Sequence, residues 1–232
     1  LMNAKDPRLS RWHPESQSTQ EPIIQFEIGA MQNLVYLVVD WTQKKAAWVD
    51  PQKDLKEPLE FLNSNNLELE SILLTHTHHD HVAGVADLQR LKPALPVLLH
   101  AQDAFRLKGV QGQRHLSDQE IFGVGSLQIK AWNMPGHSAG ALTFEVLPHQ
   151  LFCGALLTGD TLFIRDCGRT DLPTGSTAQM WESLQRYRQF PGEYRIFPGH
   201  HYRSEWWSTL QQELQESPPF QCRDLTALEA LP

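Results

Sequence analysis

From residue 23 onward, short apolar runs alternate with stretches whose apolar residues recur every three to four positions. NLVYLVV (33–39) and AAWV (46–49) are rich in β-branched and aromatic residues and predict strands, and residues 55–63 carry the spacing of a helix. SILLT (71–75) predicts a short buried strand, and VAGVADLQRL (82–91) a helix after it. PVLLH (96–100), SLQIKAW (126–132), ALTFEVL (141–147) and LFCGALLT (151–158) predict further strands separated by turn residues. Ser176 and Gln179 resemble a capping box ahead of a helix whose apolar stripe is Met180, Leu184 and Tyr187. A last helix is expected from about residue 204 to 215, burying Trp207, Leu210 and Leu214 and ended by the prolines at 218 and 219. Interleaved strands and helices imply an α/β fold, with mixed sheets flanked by helices. Residues 1–22 are polar and aperiodic and read as an N-terminal arm, leaving residues 23–232 as one domain.

Composition narrows the function classes. Charged residues make up 20% of the chain and apolar ones 41%, the balance of an ordinary globular protein. The formal net charge of −7 opposes generic binding to nucleic acid or to an anionic membrane, which needs clustered Lys and Arg. No run is long and apolar enough for a spanning helix, and the first residues lack the apolar centre of a secretory signal, so the expected location is the cytoplasm. Three scattered cysteines, Cys153, Cys167 and Cys222, do not make a disulfide framework. These features favour small-molecule chemistry in a monomer or homodimer.

That chemistry concentrates in THTHHDH (75–81), which holds four of the chain's 11 histidines. Imidazoles and a carboxylate alternating on a tight loop after a buried strand can aim several donors at one point. Such donors suit zinc, iron or manganese, and the absence of cysteine in the cluster argues against a closed structural zinc site. Three later segments repeat the arrangement of an apolar strand running into a turn with a potential ligand: WNMPGH to His137, LLTGD to Asp160 and YRIFPGH to His200. Ligands at the carboxyl ends of buried strands occupy the usual place for an α/β active site.

With THTHHDH, PGHS, TGDTLF, CGRTD and PGHHY in this order over residues 23–215, the sequence resembles the metallo-β-lactamase-fold hydrolases, and within them the glyoxalase II and persulfide dioxygenase branch. The resemblance implies an αβ/βα four-layer sandwich. It implies that His76, His78 and His137 hold one metal ion, that Asp80, His81 and His200 hold a second, and that Asp160 bridges both. His79 and His201 fall outside that ligand pattern, and His13, His100, His115 and His149 read as ordinary residues.

A two-metal site would bring a shared water toward a neutral pKa and polarise a carbonyl, with Asp80 additionally orienting the attacking hydroxide. No side-chain nucleophile is then required, and Cys167 reads as structural. A thiolate with a pKa near ~8.5 leaves without a strong general acid, so thioesters fit the site. In glyoxalase II relatives a basic residue after CG and the tyrosine after the last ligand contact glutathione. Arg169 and Tyr202 stand in those places, and Arg165 is near in sequence. For both arginines the alternative is a salt bridge, with Asp166 or Asp171 as partner.

Two departures from glyoxalase II stand out. The second tyrosine expected near CGR is replaced by Asp171, and the 32 residues after His200 are expected to leave no room for the helical C-terminal domain of that enzyme. FIRDCGRTD is similar to persulfide dioxygenases, which use a single Fe(II) on the equivalents of His76, His137 and Asp160. The expected function is therefore hydrolysis of a small thioester, with a glutathione conjugate as one candidate. Oxygenation of glutathione persulfide is the alternative reaction, and a non-catalytic metal-binding module the alternative from another class.

Overall fold

The computed structural model describes residues 21–231 apart from Ala94 and Leu151, so the arm expected over residues 1–22 lies outside the described residues except for Glu21 and Pro22. The chain first builds a six-stranded sheet. Strands β1 (Ile23–Ile28), β2 (Asn33–Asp40) and β3 (Lys45–Val49) form an antiparallel meander. After helix α1 (Lys56–Ser64), strand β4 (Glu68–Leu73) pairs parallel to β3. Helices α2 (His79–Val82) and α3 (Val85–Leu91) then lead to β5 (Val97–Leu99). A 3-10 helix (Ala101–Arg106) leads on to β6 (Gln113–His115), and β5 and β6 extend the parallel half of the sheet.

The second sheet has the order β14-β13-β10-β9-β8-β7. Its strands β7 (Ile121–Val124), β8 (Leu127–Asn133), β9 (Leu142–Val146) and β10 (Ala155–Gly159) run antiparallel in turn. A small hairpin follows, β11 (Leu162–Phe163) with β12 (Asp166–Cys167). Helix α4 (Thr177–Tyr187) precedes β13 (Arg195–Pro198), which pairs parallel to β10, and β14 (Ser208–Thr209) closes the edge. The chain continues through α5 (Leu210–Glu216), α6 (Pro218–Gln221) and α7 (Leu225–Glu229).

Strand alternation explains why these elements stack as layers. Successive side chains of β2 face opposite ways, so Val35, Leu37 and Val39 join one apolar cluster while Leu34, Tyr36 and Val38 join another. The first cluster packs the outer face of the first sheet against α1 and α3 through Phe61, Leu62, Val85 and Leu88. The second fills the space between the sheets with Val49, Leu73, Ile129, Phe144, Leu157 and Phe197. A third covers the outer face of the second sheet with Met180, Leu184 and Tyr187 of α4, Leu210 of α5 and Leu228 of α7. Three apolar interfaces between four layers are the αβ/βα sandwich expected from the resemblance.

The helix expected over residues 82–91 is broken at Ala83 and Gly84 into α2 and α3, the strand expected over 151–158 is β10 from Ala155, and the expected last helix changes most. Helix α5 begins only at Leu210, because Ser208 and Thr209 pair with β13 as a strand and the Thr209 side chain accepts the Gln212 N–H as the N-cap. Leu210 is buried, while Trp207 packs only in part, against the cluster between the sheets. The prolines at 218 and 219 occupy the first turn of α6, where a missing N–H costs nothing, and so start a helix as well as follow one.

Candidate metal centre

Four strands carry the expected ligands to one end of the sandwich. His76 stands just past β4, His137 past β8, Asp160 directly past β10 and His200 past β13. β8, β10 and β13 run in one direction, since β8 and β10 are each antiparallel to β9 and β13 is parallel to β10. The turn after β4 supplies His76 and His78, and the first turn of α2 supplies Asp80 and His81. Among the described residues, donor atoms cluster as His76, His78 and His137, as Asp80, His81 and His200, and as Asp50, His76 and His81, each set within 4.8 Å.

Asp160 stands between the first two sets. Its Oδ2 lies 3.3 Å from His200 Nε2, 3.6 Å from His137 Nε2 and 4.0 Å from His76 Nε2, while its Oδ1 lies 3.4 Å from His81 Nε2. Glycine makes this approach possible. A Cβ at Gly199 would overlap Asp160 Oδ1, and one at Gly168 would overlap the Asp160 carbonyl oxygen.

Every imidazole of the set but His78 is held from behind through Nδ1, that of His76 by the Thr75 hydroxyl at 3.1 Å. His137 Nδ1 donates to the Arg169 carbonyl and His200 Nδ1 to the Met31 carbonyl, both at 2.8 Å, which leaves the two Nε2 atoms as bare donors facing inward. His81 Nδ1 meets Asp50 Oδ2 at 3.0 Å, and Asp50 also accepts from the Thr75 N–H at 2.8 Å and the Thr75 hydroxyl at 2.5 Å. His78 instead turns Nδ1 inward, 2.8 Å from His137 Nε2. Asp80 Oδ2 accepts from Asn33 Nδ2 at 2.8 Å and lies 3.3 Å from His200 Nε2 and 3.4 Å from His81 Nε2.

The electrostatics of this set fit a cation. Burial drives His76 well below the usual imidazole range, and burial with the His137 charge lowers His78 to about 4. Burial also opposes charging His200, yet its hydrogen bonds to Asp160 and Asp80 raise it to about 9. His81 rises for a similar reason, the Asp160 charge outweighing burial. Both carboxyls are held low despite burial, Asp160 by the His81 charge and Asp80 by its His200 hydrogen bond. One buried and one half-buried carboxylate, Asp160 and Asp80, therefore need positive charge, which the neighbouring imidazoles supply only by taking up protons. His76 Nε2 is buried without a hydrogen-bond partner, and Asp160 Oδ1 likewise makes no hydrogen bond. Unpartnered lone pairs converging on one point are what divalent metal ions require.

The remaining sequence candidates divide. Tyr202 stacks on the His200 ring, with centroids 4.9 Å apart and planes at 9°, and is 55% exposed. Arg169 forms a two-pronged pair with Asp171, as the salt-bridge alternative anticipates. Arg165 pairs with neither Asp166 nor Asp171. Its Nη1 donates to Glu205 at 2.6 Å and its Nε to Glu216 at 2.9 Å. The Cys167 thiol packs against the third apolar cluster, and burial pushes it up to about 12. His79 is exposed, and His201 Nδ1 sits 2.5 Å from Glu27 Oε2, away from the donor sets. His100, His115 and His149 join none of the donor sets, and His13 lies outside the described residues.

Sequence reasoning missed Asp50, Asn33 and Asp103. Asp50 ends the strand AAWVD, the same pattern of an apolar run closed by a ligand-type residue that marks the other four positions. Asp103 is fully buried and ties two ligand loops together, accepting from Ser138 Oγ at 2.8 Å, the Gly140 N–H at 2.9 Å and the Thr77 N–H at 3.3 Å. Its signal is faint, a lone aspartate in HAQDAF.

Comparison with known proteins agrees with this architecture. The chain is 35% identical over 170 residues to hydroxyacylglutathione hydrolase of Gloeobacter violaceus, which covers 73% of this chain and 64% of that protein. The chain thus spans about two thirds of the length of that relative. It is 29% identical to the mitochondrial persulfide dioxygenase ETHE1 of Homo sapiens, over 79% of this chain and 69% of the other. The crystal structure of TTHA1623 in a di-iron-bound form superposes with a TM-score of 0.70 at 28% identity, covering 84% of this chain and 98% of that one. The profile of the metallo-beta-lactamase superfamily matches residues 28–200, and the chain belongs to that superfamily.

Proposed function

We propose that this protein is a metal-dependent hydrolase that cleaves small thioesters, with residues 23–232 as its catalytic domain. One observation carries the reading: Asp160 reaches His137 and His200, members of two separate three-residue donor sets, at 3.6 and 3.3 Å. His76, His78 and His137 would hold one ion, Asp80, His81 and His200 the other, and Asp160 would touch both. Zinc is the leading candidate, with iron or manganese as alternatives. Divalent ions held there supply a water acidified toward neutral pH and a polarised carbonyl oxygen.

The chain's own residues account for the rest. Asp80, held by Asn33 and kept ionised by its His200 hydrogen bond, can orient a water at the centre by accepting a hydrogen bond from it. The thiolate leaves without an acid, so a proton donor at the leaving group is not needed. Cys167 packs against the third apolar cluster, and burial raises its thiol and so disfavours the thiolate a nucleophile needs. Tyr202 offers an exposed ring beside His200 for the organic part of the substrate, and Arg169 a guanidinium on the loop that holds His137. Arg165 would reach an anion only by releasing Glu205 or Glu216. The similarity to a hydroxyacylglutathione hydrolase supports the same class of bond.

A second reading is oxygenation of a thiol persulfide on a single Fe(II) held by His76, His137 and Asp160. It is favoured by the 29% identity to the human persulfide dioxygenase. Metal-replete protein is expected to release thiol from S-lactoylglutathione or a simpler lactoyl thioester, with close to two metal ions per chain by elemental analysis. Oxygen uptake with glutathione persulfide, one iron per chain and no thiol release would reverse the order of the two readings.

A further inference from the structure

Asp103 lies on the 3-10 helix after β5 and is fully buried, yet it belongs to none of the three donor sets. Its contacts fall on the residues beside the ligands of the first set. Oδ2 accepts from the Thr77 N–H at 3.3 Å and from the Ser138 hydroxyl at 2.8 Å, and the Asp103 carbonyl accepts from the Thr77 hydroxyl at 2.8 Å. Thr77 stands between His76 and His78, and Ser138 follows His137. Oδ1 accepts from the Gly140 N–H at 2.9 Å, and a Cβ at Gly140 would overlap the Asp103 side chain, so the turn after His137 closes down on this group. Arg106, on the same 3-10 helix, brings in a third loop. Its Nη1 lies 3.6 Å from Asp103 Oδ1, and its Nη2 donates at 3.0 Å to the Pro173 carbonyl, on the loop whose Arg169 carbonyl receives His137 Nδ1.

The second set is supported by groups distinct from those that Asp103 touches. Asp80 is held by Asn33, His81 by Asp50 and His200 by the Met31 carbonyl. Three donors share the two oxygens of Asp103, and two of them are main-chain N–H groups. Alanine at this position would leave the N–H groups of Thr77 and Gly140 unpaired. Asparagine would satisfy only one of them, because a main-chain N–H cannot turn to accept from the amide nitrogen as the Ser138 hydroxyl can.

We propose that Asp103 is a positioning residue for the first metal ion alone: it fixes His76, His78 and His137 through their chain neighbours and has no part in placing Asp80, His81 and His200. The inference rests on the two-ion part of the reading above and not on which bond is cleaved.

The test uses the full chain and reads zinc affinity by competition with a chromophoric chelator in a double-mutant cycle. Asp80→Ala removes a donor from the second set, and His78→Ala one from the first. Adding Asp103→Asn to Asp80→Ala should weaken the ion held by the first set by roughly tenfold, and adding Asp103→Ala by up to about 100-fold, the range for groups that orient a metal's ligands. Adding either substitution to His78→Ala should leave the ion held by the second set within about twofold, the scatter of independent sites. Circular dichroism checks that each chain is folded, and if the alanine variants of Asp103 do not fold, the asparagine pair decides alone. Equal weakening in both backgrounds, or none in the Asp80→Ala chain, overturns the proposal. Thiol release from S-lactoylglutathione is measured separately. Its absence with the zinc pattern as expected would remove the hydrolase reading and leave Asp103 in its role.

Discussion

At the scale of single residues, the donors were legible and their supports only partly so. His76, His137, Asp160 and His200 each close an apolar run with a side chain that binds metals, and the alternation of strand and turn announces them. Asp50 follows the same rule at the end of AAWVD and is the position that the sequence reading lacks. The acceptors for His137 and His200 are main-chain carbonyls of Arg169 and Met31, and no side-chain pattern can announce those. Asp50 is the residue whose loss should be felt most among these supports. It accepts from the Thr75 backbone, the Thr75 hydroxyl and His81 Nδ1, so Asp50→Ala leaves the buried Thr75 N–H unpaired and frees the His81 ring to turn. Metal affinity at the Asp80, His81 and His200 set should fall roughly 10- to 100-fold, read by competition with a chromophoric chelator. Unaltered affinity would show that His81 needs no carboxylate behind it.

At the scale of elements, strands were read more faithfully than helix ends. Central strands bury two faces, so their apolar runs are dense and easy to see, as in β2, where every residue is buried, whereas β6 at the edge is mostly exposed. The helix expected from residue 204 started late because pairing of Ser208 and Thr209 with β13 overrides local periodicity, and such long-range pairing leaves no trace in a short window. The turn after β13 carries the element-scale prediction. Gly199 donates its N–H to the Gly159 carbonyl at 2.8 Å, and a Cβ there would meet both Asp160 Oδ1 and His81 Cε1. Gly199→Ala should therefore displace the Asp160 carboxylate while leaving the sheets intact. The expected result is an unchanged far-ultraviolet circular dichroism spectrum with bound metal falling from about two ions per chain toward one. Full occupancy in the variant would mean that the carboxylate has room to retreat.

At the scale of the whole molecule, the donors come from both sheets. His76, His78, Asp80 and His81 follow β4 of the first sheet, while His137, Asp160 and His200 follow strands of the second. Ions bound between them would cross-link the two halves of the sandwich. Chelation should lower the melting temperature by on the order of 10 °C, since a ligand at about 1,000 times its dissociation constant contributes ~4 kcal/mol and each kcal/mol moves a domain of this size by about 2–4 °C. Readdition of zinc should restore it, and an unmoved melting curve would mean that the folded chain holds no ion tightly.

A separate acid-dependent contribution comes from the ion pairs of Arg165, which hold Glu205 at about 2. A carboxylate depressed in the folded state stabilises the fold above its unfolded pKa and loses that effect as pH falls through the folded value. Arg165→Gln should therefore lower the melting temperature slightly at pH 6, with the gap to wild type closing as pH falls from about 4.5 toward 2. A gap that persists at pH 2 would assign the effect to packing of the side chain and not to its charge.

The backbone carbonyls behind His137 and His200 carry one more implication. Because the aim of these rings depends on main-chain atoms of residues 169 and 31, the side chains at those positions can be exchanged without redirecting the imidazoles. On the proposed function residue 169 would meet the substrate through its side chain while it aims His137 through its main chain, so a new preference could be installed there with the ring left as it was.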